Sequence, residues 1–123
     1  MYKFSGELDE FSFIAGNFQE LEFQVRDMET SEPVDLNDLS EIRWVLFRYG
    51  DVDNPLLSLK GVVSLTDPSI FRITIKTDYT KDLSGLFMHQ PILIDGEGKE
   101  FSPAQGLINI ISRANRENSN IIV

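Results

Sequence analysis

An antiparallel β-sandwich of about seven or eight strands is the fold this sequence predicts, and three observations predict it. Apolar and polar residues alternate over short runs, as Leu21, Phe23 and Val25 do against Glu20, Glu22, Gln24 and Arg26. A period of two is the mark of a half-buried strand. Turn residues interrupt the chain at the roughly 8–12-residue spacing of all-β sandwiches. Almost nothing in the chain reads as helix.

The chain opens with a leader, residues 2–8, running into Phe11-Ser12-Phe13-Ile14. Together they read as one or two short strands, closed by turn chemistry at Gly16-Asn17. Residues 20–26 form the cleanest strand, residues 27–33 a polar turn, and residues 34–39 one helical turn capped by an Asp or Asn side chain. Residues 42–49 are the strand around which the rest is organised. They are rich in β-branched and aromatic residues and contain no Gly or Pro. Ile42, Trp44 and Leu46 point one way, and Val45, Phe47 and Tyr49 the other. Both faces are apolar, so both need cover. One takes the domain's own core. The other is covered either by the domain's own loops or by another protein chain.

A loop over residues 50–55 follows, and residues 56–60 and 62–65 then read as one strand interrupted by a bulge at Gly61. A turn at Thr66-Asp67-Pro68-Ser69 leads to residues 70–76, with Phe71, Ile73 and Ile75 inward. Residues 78–85 are a polar connection whose Leu83 is expected to tuck back as a plug. Residues 86–95 and 100–111 are the last two arms, joined at Glu97-Gly98-Lys99, with Pro103 an irregular point. The expected organisation is one sandwich domain over residues 1–111 and a polar tail over residues 112–123. The tail ends in Ile121-Ile122-Val123. It reads either as a frayed terminus or as an arm that adds a strand to a neighbouring subunit.

A length of 123 residues fits one domain with its own core. The formal charge of −9 and pI near 4.4 argue against nucleic-acid and membrane partners, because phosphate backbones and anionic lipid repel such a chain. An acidic surface serves solubility or meets a basic protein patch. The absence of cysteine excludes disulfides, thiolate nucleophiles and cysteine metal sites, and suits assembly in a reducing cytoplasm. No apolar run approaches the roughly 20 residues of a membrane span. Residues 1–7 lack the apolar segment of a signal peptide.

No catalytic, cofactor or metal constellation can be assembled from the residues. His89 is the only histidine and has no second histidine at ligand spacing, so it reads as a structural core residue. Asp51, Asp53 and Asn54 form one acidic cluster, and Asp95, Glu97 and Glu100 another. Oxygen ligands of this kind can hold Ca²⁺. Neither matches a calcium loop, and both read as solvated hairpin turns. Asp95-Gly96-Glu97-Gly98 is followed by no helix and would repel phosphate.

Several runs together resemble the amino-terminal domain of tailed-phage baseplate upper proteins and related small phage virion proteins. They are Leu21-x-Phe23-x-Val25-x-Asp27, Pro33-Val34-Asp35-Leu36, Ile42-x-Trp44-x-Leu46 and Phe71-x-Ile73-x-Ile75. Asp78-x-Thr80-x-x-Leu83-x-Gly85-x-Phe87-x-His89 follows, then Asp95-Gly96-x-Gly98 before Gly106-x-Ile108. The resemblance covers residues 20–111. Gln90 stands where an acid is commoner. The resemblance implies an immunoglobulin-like sandwich and a structural role: docking onto tail, baseplate, neck or capsid through protein–protein contacts, in many copies or as a homo-oligomer. It implies no enzymatic residues and no cofactor, and it implies assembly in the host cytoplasm into the virion. Baseplate upper proteins usually continue into a coiled coil, so a small stand-alone subunit is the expectation here. The expected interface residues are Val45, Phe47, Tyr49, Ile121, Ile122 and Val123. A carbohydrate-binding or adhesion module of the same fold class is the alternative.

Overall fold

A computed structural model describes residues 7–113 and places nine strands among them. The larger sheet holds β1 (Glu7–Ile14), β3 (Glu41–Arg48), β4 (Leu57–Lys60), β7 (Gly85–Ile94) and β9 (Gln105–Ile111), in the order β1-β9-β7-β3-β4. A short strand, β8 (Glu100–Phe101), adds to β7. The smaller sheet holds β2 (Gln19–Gln24), β5 (Val62–Val63) and β6 (Ile70–Ile75), in the order β2-β6-β5. The protein is an all-β sandwich. Its second, sixth and fifth strands lie opposite the ninth, seventh, third and fourth, which is the arrangement of an immunoglobulin-like domain with an extended second sheet.

One pairing departs from the all-antiparallel expectation. β1 runs parallel to β9, from Glu7 opposite Gln105 to Ile14 opposite Ile111. β1 leads into the smaller sheet and β9 arrives from β7, so no hairpin joins the two and no turn dictates their relative direction. The strand count also exceeds the expected seven or eight, because two of the nine strands are only two residues long.

The core comes from the inward residues of both sheets. Trp44, Phe87, Leu93, Ile108 and Ile110 descend from the larger sheet and meet Phe71, Ile73 and Ile75 from the smaller. The period-two reading placed Phe71, Ile73 and Ile75 correctly, since each strand hides one parity. Leu36 sits in a 3-10 turn, Leu36–Asp38, and closes the core from one end. The turn is capped as expected, with Asp35 accepting from the Asn37 N–H at 2.9 Å.

Two elements differ from expectation. Gly61 is a corner between sheets and not a bulge within one strand: β4 before it pairs with β3, and β5 after it pairs with β6. The chain passes so close to both layers that a Cβ on Gly61 would lie 2.8 Å from Ile42 Cγ2 and 3.0 Å from Phe71 Cδ2. The connection after β6 contains a four-residue helical turn, α1 (Thr77–Thr80). Its buried Thr80 hydroxyl accepts from the Gly16 N–H at 3.0 Å. Leu83 packs partly buried against the core, as a plug should.

Candidate interaction face

β3 is hydrogen-bonded on both sides, to β4 and to β7, so its two apolar faces belong to the centre of the larger sheet. On the inner face Trp44 is fully buried, and its Nε1–H donates to His89 Nδ1 at 2.9 Å. Phe11 meets the His89 ring edge-on at 5.6 Å, and Phe23 lies 6.0 Å from it. Burial in this aromatic setting pushes the His89 imidazole down to about 4, so the ring is neutral near pH 7. His89 is therefore a packed core residue that accepts a hydrogen bond from the indole. Arg48, at the end of β3, lays its guanidinium 5.3 Å from the Phe87 ring centroid.

The outer face follows from the register. Val45 is half-buried between Gln90 on β7 and Ser58 on β4. Phe47 faces Met88, and the Leu56 N–H bonded to Leu46 O at 2.7 Å brings Leu56 beside it. Phe47 is only 2% exposed although it lies outside the main core. The chain itself thus covers the Phe47 ring, which is not offered to a partner. Tyr49 is the opposite case. Its N–H bonds to Leu86 O at 3.3 Å, which holds the backbone in the sheet while the side chain stays 62% exposed. Ile121, Ile122 and Val123 lie outside the described residues.

Tyr49 does not stand alone. Leu86 continues the same face on β7 and is 42% exposed. Ile111 on β9 and Ile14 on β1 are directly paired, outward and 48% and 43% exposed. Leu86 is paired with Asn109, and Ile111 lies two residues further along β9, so Tyr49–Leu86 and Ile111–Ile14 are two apolar pairs set diagonally about Asn109. With Leu56 next to β4 they form a staggered apolar row across one end of the larger sheet, spanning its five main strands. Strands stand about 4.8 Å apart, so the row is roughly 19 Å long. Of the residues in this row, parity pointed to Tyr49 alone, beside Val45 and Phe47 on the same strand. Leu86, Ile111 and Ile14 were missed because only the strand order brings them beside it; their one local signal is an apolar residue on the outward parity of each strand.

The two acidic clusters are tied into turns. Asp51 accepts from the Asn54 side-chain amide at 2.8 Å. Asp95 accepts from the Glu97 and Lys99 N–H groups, both at 2.9 Å, and so folds the β7–β8 connection. Among the described residues no group of three or more potential ligands is arranged to hold a metal. Among the described residues no helix is long and apolar enough to cross a membrane. No protein-family model matches the chain, and no curated protein matches it.

Proposed function

We propose that this domain is a non-enzymatic assembly module that works by protein–protein contact, as a structural component of a tailed-phage virion. The observation that carries the contact reading is the apolar row Tyr49–Leu86–Ile111–Ile14 on the outer face of the larger sheet. Scattered exposed apolar residues are ordinary, but several gathered at one end of a sheet face mark an interaction surface. The virion reading is supported by the sequence resemblance over residues 20–111. A capsid, neck, tail or baseplate location in many copies accords with a contact face and an acidic remainder that keeps free subunits apart.

The test is incorporation into particles. Tyr49→Ser with Leu86→Ser should lower it by about tenfold or more, since each large apolar side chain contributes about 1.5–3 kcal/mol when fully buried. Leu65→Ser is the control, because Leu65 is equally apolar and fully exposed on the other sheet's connection. Undiminished incorporation of the folded double variant, or an equal loss with Leu65→Ser, would remove the proposed face.

A further inference from the structure

The two sheets leave a gap along one side of the sandwich, between β1 and β2. Each is the last strand of its sheet among the described residues: β1 bonds to β9 and β2 to β6. The register shows where the unused backbone groups of β2 point. Val25 N–H donates to Ser69 O at 2.9 Å, and Ser64 N–H donates to Ile70 O at 2.8 Å. Antiparallel ladders alternate, so the odd-numbered residues of β2 bond to β6. The N–H and C=O groups of Glu20, Glu22 and Gln24 then face the gap.

The gap is a cleft of about 300 Å³. Leu8 and Phe11 wall it on one side, Leu21 and Phe23 on the other, and His89 is part of its lining. The His89 ring lies over Gly106, where an added Cβ would come within 2.9 Å of Nε2 and 2.7 Å of Leu8 Cβ. Glycine leaves the room the imidazole occupies, and Nε2 is directed toward β1. Trp44 already uses Nδ1, so the neutral ring carries its proton on Nε2, and this buried donor has no acceptor among the described residues. A β-bulge marks the same place. Leu8 pairs with Gly106 and Phe11 with Ile108, so β1 has one residue more than β9 over this interval.

We propose that this cleft receives an extended segment of a partner protein, added as a strand along β2, with a backbone carbonyl accepting from His89 Nε2–H. A polypeptide strand answers all three features: a row of backbone groups for the β2 edge, alternate apolar side chains for the Leu21 and Phe23 wall, and a carbonyl for the orphan donor. The charge of the segment follows from the rim. Asp9 has no ion pair among the described residues, and Glu20 and Glu22 share the single Arg72, at 3.9 and 3.1 Å. The outward positions of the added strand are therefore Lys or Arg. This site is separate from the apolar row on the larger sheet, and the two are tested independently.

The experiment is residue-resolved amide exchange of the full chain with two probes, acetyl-Lys-Val-Lys-Val-Lys-Val-amide and its Glu-for-Lys counterpart. The Lys peptide should slow exchange at the Glu22 and Gln24 amides by about tenfold or more and shift the His89 Nε2–H resonance, and the Glu peptide should do neither. Glu22→Pro removes an outward N–H at an edge position, where proline is tolerated, and should abolish the effect. Asp9→Lys, which leaves the β2 backbone untouched, should weaken the Lys peptide and serves if the proline variant does not fold. The proposal is overturned if neither peptide slows these amides, or if both do so equally. It is also overturned if Glu22 and Gln24 are already as protected as Leu21 and Phe23 in the dilute isolated chain, for the edge would then be paired without a partner.

Discussion

His89 is neutral in the folded protein because burial holds its imidazole at about 4 instead of the ordinary value near 6.5. The unfolded chain therefore binds more protons than the folded one between those two values. Stability from this group is complete above about pH 6.5, falls as pH drops toward 4, and changes no further below it. A shift of this size corresponds to about 3 kcal/mol. Urea midpoints at pH 7.5 and 4.5 should differ accordingly, and a pH-independent midpoint would contradict the assignment. The chain has one histidine, so its ring proton resonance reports the group directly. The half-buried Asp67 carboxyl is also held below its ordinary value, by the Ser69 hydroxyl and N–H. Its contribution is lost only as pH falls through that lowered value, which lies below most of the histidine window. The structural role of His89 was legible from the lack of any partner at ligand spacing. Its bond to Trp44 was not, since 45 residues separate the two and only the β3–β7 register brings them together.

At the scale of elements, the strands that could be read from sequence are those with one wet face. β2 and β6 alternate cleanly because the smaller sheet turns one side to solvent. Gly61 resisted the same reading. A glycine inside an apolar run signals either a bulge or a close approach, and the choice here is made by Ile42 and Phe71, neither of them near it in sequence. Gly61→Ala should cost about 1–3 kcal/mol, the range for overpacking a filled site, and a denaturant titration checks it. Gly106→Ala should cost a similar amount, because its Cβ would meet Leu8 and His89. A neutral effect at Gly106 would mean that the His89 ring does not lie across this glycine. The α1 turn escaped notice because four residues are too few to show a helical period.

For the whole molecule, the question is which apolar surface meets another protein. Parity singled out Val45, Phe47 and Tyr49, but parity reports direction and not cover. Phe47 is paired with Met88 and buried by the chain itself, while Tyr49 lies past the end of β3 and stays open. Phe47→Ser should therefore destabilise the fold by about 3 kcal/mol or more. Tyr49→Ser should change stability by about 0.5 kcal/mol or less. Thermal melts of the two variants separate a buried residue from a contact residue. The rest of the face was beyond a sequence reading, since β1 reaches β9 only through the parallel pairing of chain segments nearly 100 residues apart. The central claim is that the row Tyr49–Leu86–Ile111–Ile14 is covered by protein in the assembled particle. Oxidative footprinting of the chain, free and on particles, tests it most directly. The account predicts that Tyr49 and Leu86 lose reactivity on assembly while Leu65 keeps it; unchanged reactivity at Tyr49 and Leu86 would contradict it.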